Sequence, residues 1–291
     1  MPSNFDFNEM KIFYIIIPIC FIVSCLDSSS FSSGLNNTAL TKNQKQKIIY
    51  DLGCLRDSSL TDGIIGIGSQ LEDNIISGSQ LVVKISDEMA VGDTVLNQVK
   101  NKHKIIEDGD KYLRVEKIMK KLLPLIDSPY GFKYKYYVVE SEEVNAFTAG
   151  GKIFVYTGIL KHIQSDDELA CVLGHEIYHN ELGHIRKKIK KQMVVDRLLK
   201  SKKGKFAGYA MLIFGASFNQ DEETLCDLHG VDLVKKAGYK PCSAINFWKR
   251  VSQNEKTTNL SKLLKSHPCG KQRIHCIHHH LEQNYQLQCD N

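Results

Sequence analysis

The chain has 291 residues, 42% of them hydrophobic and 24% charged, with a formal net charge of +5. That length and composition allow a real core in one domain or at most two, and the charge is too mild to point to an acidic partner. No dense Lys/Arg stripe with interleaved aromatics occurs, which argues against nucleic acid. The basic neighbourhood of Arg186, Lys187, Lys188, Lys190 and Lys191 reads as a solvated helix face, with contact to anionic lipid headgroups as the lesser alternative.

Taken in order, residues 10–25 place one Lys before an apolar run of about 12 residues, the length of a signal-peptide core and too short to span a bilayer. The run ends Ile22-Val23-Ser24-Cys25, a pattern like that of bacterial lipoprotein signals, in which Cys25 would become lipidated. An ordinary signal peptide or a short anchor with an incidental Cys is the alternative. Met10 is a second candidate start, because Asp6 and Glu9 stand where such a signal is normally basic. Residues 1–24 are therefore read as a signal peptide and 25–45, rich in Ser and Asn, as a flexible tether. Residues 46–285 are read as a single folded domain and 286–291 as a tail.

The domain opens with a mostly helical pattern, and 81–100 and 112–126 read as amphipathic helices. The Gly-rich patch at 62–68 lacks a Walker Lys-Ser/Thr and does not fit G-x-G-x-x-G, so it is given no phosphate role. Phe132–Glu140 and Lys152–Tyr156 are β-type runs. Between them lies Val144-Asn145-Ala146-Phe147-Thr148, which is either an edge that an extended substrate joins as a strand or a plain hairpin. A helix over 165–184 follows, then a Lys-rich helix to about 203 and a buried helix over 206–218. Residues 219–237 form a further helix closed by Gly238 and Pro241, and 242–291 reads as helical.

The helix over 165–184 carries the chemistry. Ser165 and Glu168 form an S-x-x-E capping box at its start, and Leu169, Val172, Leu173 and Ile177 give it an apolar face. His175 and His179, four residues apart, project from one side of that helix. Such a pair can hold one Zn²⁺, with Glu176 beside it to take a proton from the attacking water. The motif needs a third ligand. Leu182 and Ile185 occupy the slots where one solution needs Gly and His, so that solution fails on spacing. The other solution is a Glu from a later helix, and Glu223, which shares a helix face with Asp227, is the candidate.

With these residues assembled, the chain resembles the zinc metallopeptidases that include the CAAX prenyl endopeptidase, the HtpX-type proteases and the soluble periplasmic BepA-like proteases. The resemblance runs over about 115–275, through Val144-Asn-Ala-Phe147, Gly150–Leu160, Asp167–His179, Glu223–Gly230, Ala237–Pro241 and Ser266-His267-Pro268 with Arg273. It implies an α+β, predominantly helical, zincin-like domain with a small β-sheet flanking the active-site helix. It further implies one Zn²⁺ per chain with Glu223 as third ligand, and Asp227 supporting a ligand histidine. The family usually has Ala where Cys226 stands. No long apolar span follows residue 25, which favours the soluble branch, as a lipid-anchored, periplasm-facing lipoprotein. By resemblance it would act on misfolded envelope proteins in quality control. A chaperone or assembly factor with a latent zinc site is the alternative, and a lipoprotein scaffold a third.

Other residues are read more sparingly. His184 borders the helix, and its spacing speaks against a ligand role. His267 either approaches the metal or caps the helix that Pro268 begins. Arg273 is read as a structural ion pair rather than a substrate contact. Export would permit disulfides among Cys242, Cys269, Cys276 and Cys289, whereas Cys171 and Cys226 read as small buried hydrophobes. The His/Cys-rich stretch 269–280 matches no metal-finger spacing.

Overall fold

The computed structural model describes residues 47–55, 78–126, 130–198, 208–210, 213, 217–253, 260–268 and 271–289. The expectations for the signal, Cys25, the tether, the 62–68 patch and Cys269 lie outside these residues, as does most of the 206–218 helix. The fold class is as expected: mostly helices, with a small mixed sheet of four strands.

Helices α1 (Ile85–Lys102) and α2 (Gly109–Leu122) lead into the sheet. Helix α2 buries Val115, Ile118, Met119 and Leu122, the i, i+3, i+4, i+7 stripe that its sequence displays. The sheet order is β1-β2-β4-β3. Strand β1 (Ile105–Ile106) is antiparallel to β2 (Lys135–Val139), and was too short to be legible in the sequence. Strands β2 and β4 (Lys152–Tyr156) run parallel, with Lys135 opposite Lys152 and Val139 opposite Tyr156. Strand β3 (Ala146–Ala149) ends the sheet, antiparallel to β4, with Ala146 opposite Val155.

Both faces of this sheet are covered. Val138, Ala146, Ile153 and Val155 point into one core with α2 and the later helices, while Val139, Phe147, Phe154 and Tyr156 point into another with Val91, Val95 and Val99 of α1. Burial on both faces explains why Lys152–Tyr156 shows no polar alternation. The β3–β4 turn needs glycine twice, since Gly150 and Gly151 have φ of +54° and +77°, and a Cβ on Gly150 would stand 2.4 Å from the Glu88 carbonyl oxygen.

After α3 (Thr157–His162) comes α4 (Asp166–Glu181), which carries the histidine pair. Ser165 Oγ accepts from the Glu168 amide at 3.1 Å, as expected. The return half of the box is displaced, because Glu168 accepts from the Gln164 amide instead and forms an ion pair with Arg250 at 2.7 Å. The helix also stops early. The chain turns at Gly183, with φ +73°, and His184 opens α5 (His184–Leu198).

Asn219 caps α6 (Gln220–Lys236) through a reciprocal capping box with Glu222, and Gly238, at φ +79°, lies just beyond its C-cap residue, Ala237. The chain closes with α7 (Ser243–Gln253), α8 (Ser261–Ser266) and α9 (Lys271–Tyr285). Helices α4 and α6 are packed with backbones almost in contact: a Cβ on Gly174 would lie 3.0 Å from the Gly230 carbonyl oxygen, and one on Gly230 would lie 3.0 Å from the His175 nitrogen. Disulfides join Cys242 to Cys289 and Cys54 to Cys276. The second was not foreseen, since Cys54 lies 222 residues from its partner and nothing local links them.

Candidate active site

The glycine contact between α4 and α6 sets the site. Glu223, Asp227 and Gly230 recur at i, i+4 and i+7, so the face of α6 that meets α4 at Gly230 also presents both carboxylates to His175 and His179. His175 Nε2 and His179 Nε2 stand 3.0 Å apart, and the Glu223 carboxylate oxygens lie 3.4 and 3.5 Å from them. All of these side chains are buried. Glu176, 2% exposed, lines a cavity together with His175 and Asp227.

Each histidine is oriented from behind. His175 Nδ1–H donates to Asp227 Oδ1 at 2.8 Å, which leaves its Nε2 lone pair facing the cluster. Arg273, fully buried, holds Asp227 with two bonds of 2.7 and 2.8 Å and meets Glu223 Oε2 at 2.8 Å. Its guanidinium lies over the Trp248 ring, 4.3 Å from the centroid. The structural ion pair expected for Arg273 is thus present, tied to both carboxylates. His179 stacks on Phe218 at 3.9 Å between centroids, and its Nδ1 lies 3.2 Å from Nδ1 of His184. Buried Cys226 is 3.4 Å from that same nitrogen. Phe218 and Trp248 are site neighbours that the sequence did not mark and no spacing rule would have found, while His184, read there as bordering the helix, stands behind His179.

His267 approaches the cluster from its place as the C-cap residue of α8, and the start of a helix begun by Pro268 lies outside the described residues. Its Nδ1 lies 3.3 Å from His175 Nε2 and 3.2 Å from both Glu223 oxygens, and its Nε2 is 3.5 Å from Glu176. Ala146 and Phe147 open the end strand β3, Asn145 immediately precedes it, and Ala146 reaches the cavity beside Glu176. In the 269–280 stretch, Cys276 is committed to its disulfide and His280 to Asp232 at 2.8 Å.

The donor set fits a metal ion. His175, His179, Glu223 and His267 offer ligand atoms within 4.8 Å of one another. Two imidazole lone pairs facing each other at 3.0 Å need a cation or a proton between them. The electrostatics agree. Burial alone would push His175 down, yet Asp227 and Glu223 overturn it and raise its pKa to about 10. Burial likewise pushes His179 well down. Glu223 is held well below the usual carboxylate range, because His267 and Arg273 outweigh the burial that would raise it. Glu176 moves the other way, its pKa raised chiefly by burial.

Residues 110–281 match the profile of peptidase family M48. The chain belongs to this family. Membership makes it a metallopeptidase by class, in line with the metalloendopeptidases among its relatives. The chain is 24% identical over 233 residues to the beta-barrel assembly-enhancing protease of Yersinia pestis, covering 74% of this chain and 48% of that protein. It is 30% identical over 174 residues to the mitochondrial metalloendopeptidase OMA1 of Schizosaccharomyces pombe, covering 57% of this chain and 51% of that protein. The chain thus spans about half the length of these relatives.

Proposed function

We propose that the protein is a zinc-dependent endopeptidase in which His175, His179 and Glu223 hold the metal and Glu176 is the general base. The observation that carries this reading is the convergence of two imidazole nitrogens and one buried carboxylate, with a second buried carboxylate beside them. Bound zinc would supply a Lewis acid and lower the pKa of the attacking water. The chain supplies the rest. Asp227 fixes the His175 tautomer, and Arg273 clamps Asp227 and Glu223 in register. Glu176, made more basic by burial, takes the proton from the attacking water and delivers it to the leaving amine.

An extended substrate would lie along β3 at Asn145, Ala146 and Phe147. Two observations support that path: β3 ends the sheet among the described strands, and the Asn145 Oδ1 acceptor is buried without a partner there. Envelope protein quality control, with misfolded envelope proteins as substrates, is the role assigned here, and bacterial relatives named as beta-barrel assembly-enhancing proteases are compatible with it. Membrane attachment would run through lipidated Cys25, which follows the apolar run of residues 12–23 in the sequence.

A latent site in an assembly factor is the second reading, favoured by the way His267 crowds the position that water would need. Zinc content and casein cleavage, measured on the protein and its Glu176→Gln variant, test the assignment. Zinc in both with cleavage only in the parent is the expected result, with a loss of about 10²–10⁴-fold in the variant. Wild-type cleavage by the variant would remove Glu176 from the chemistry.

A further inference from the structure

The His179 ring has two nitrogens, and Nε2 is the one that faces His175 and Glu223. On the other side of the ring, Nδ1 lies 3.2 Å from His184 Nδ1, which in turn lies 3.4 Å from Cys226 Sγ. Three helices meet here. Helix α4 brings His179, the turn at Gly183 folds His184 of α5 back against it, and α6 brings Cys226, about one turn on from Glu223. His179 and Cys226 are 0% exposed and His184 6%. Hydrogen bonding alone does not satisfy this group. With Nε2 of His179 kept free for the first ion, its Nδ1 carries a proton, and so does the Cys226 thiol. Both hydrogens then point at the single lone pair of His184 Nδ1, which has room for one of them.

We infer that His179 Nδ1, His184 Nδ1 and Cys226 Sγ form a second metal site, which takes a thiophilic dication such as Cd²⁺ or a further Zn²⁺ and inhibits the enzyme when filled. The three side chains offer ligand atoms within 4.8 Å of one another. At Zn–N and Zn–S lengths of about 2.1 and 2.3 Å, separations of 3.2 and 3.4 Å subtend about 100° at a shared ion, near the tetrahedral angle. A thiolate with imidazoles is the donor set that such ions prefer. Binding breaks the Cys226 S–H and His179 Nδ1–H bonds, releases both protons to water and leaves each electron pair in a new bond to the ion. His184 supplies a lone pair it already has. Burial, with Glu223 and Asp227 beside it, pushes the Cys226 thiol well above its usual range, so the ion takes the place of a proton. His179 then bridges two dications, whose repulsion weakens the hold on the first. The inhibition rests on the endopeptidase reading, whereas the site is tested apart from it.

The full chain, loaded with one equivalent of zinc, is titrated with cadmium chloride while the thiolate-to-cadmium absorption band is followed and bound metal is counted. The first group of donors, His175, His179, Glu223 and His267, holds no sulfur, so cadmium entering there gives no band. The expected result is a band that saturates in the parent and is absent in Cys226→Ala, which should hold its second ion at least about tenfold more weakly, as even outer partners of a bound metal contribute that much. His184→Gln should weaken the titration likewise, with thermal unfolding checked for both variants. Casein cleavage by the parent should fall as zinc passes one equivalent, whereas cleavage by Cys226→Ala should stay flat over that range. A parent without the band, or a Cys226→Ala variant that keeps it, would overturn the site. Unchanged cleavage by the parent with the band saturated would overturn the inhibition. A saturating band in a chain that cleaves nothing before cadmium is added would instead overturn the endopeptidase reading and leave the site standing.

Discussion

Replacing Arg273 by Met should destabilise the metal-free protein by about 3–5 kcal/mol, the range for breaking one side of a buried ion pair. The magnitude follows from what is left behind. Arg273 is 0% exposed and makes two bonds to Asp227, a contact to Glu223 and a bond to the Pro268 carbonyl. Its removal leaves two carboxylates facing each other in a dry site, partly answered by His175. Met fills most of the volume, so the loss reports charge rather than cavity. Urea unfolding in EDTA at pH 7, disulfides intact, measures it. Zinc should restore part of the difference, because the ion takes over neutralisation of Glu223. Arg273→Lys should recover less than half, since an ammonium cannot reach both carboxylates with a planar fork. A change under about 1 kcal/mol in EDTA would refute the claim that Arg273 holds the two acids together.

Zinc uptake at pH 7 should release at least one proton. With a pKa of about 10 His175 is charged in the metal-free site, a ligand must be neutral, and so affinity rises with pH until that value is reached. Calorimetric titration in buffers of different ionisation enthalpy checks this, and release of no proton would contradict it. Cys54→Ser should lower the unfolding free energy by about 3–5 kcal/mol, as expected when a bond across 222 residues no longer restrains the unfolded chain. Denaturant titration of parent and variant decides, and a negligible difference would mean that the 47–55 segment adds little. His267→Ala should raise peptidase activity by about tenfold if the histidine must vacate the site, a factor equal to about 1.4 kcal/mol of preference for the closed arrangement. Loss of activity comparable to that of Glu176→Gln would place His267 in the chemistry instead.

Much of the site was written locally. The four-residue spacing of His175 and His179, the Ser165 cap, and the i, i+4 spacing of Glu223 and Asp227 are consequences of helix geometry, which fixes direction within a few residues. The stripe on α2 and the two β-type runs are legible for the same reason. The sequence also displayed small residues at Gly174 and Gly230, but their meaning, two backbones in near contact, exists only once α4 and α6 meet.

What the sequence by itself determined is the chemistry available on each element: a histidine pair, an adjacent acid, and a second acidic face on a later helix. What only the tertiary structure decided is how those elements complete one another. It set Arg273 between two carboxylates, His184 and Phe218 behind His179, His267 over the cluster, and Cys54 against Cys276. Each of these joins residues on different elements, and periodicity within one helix or strand carries no information about which face of another will cover it.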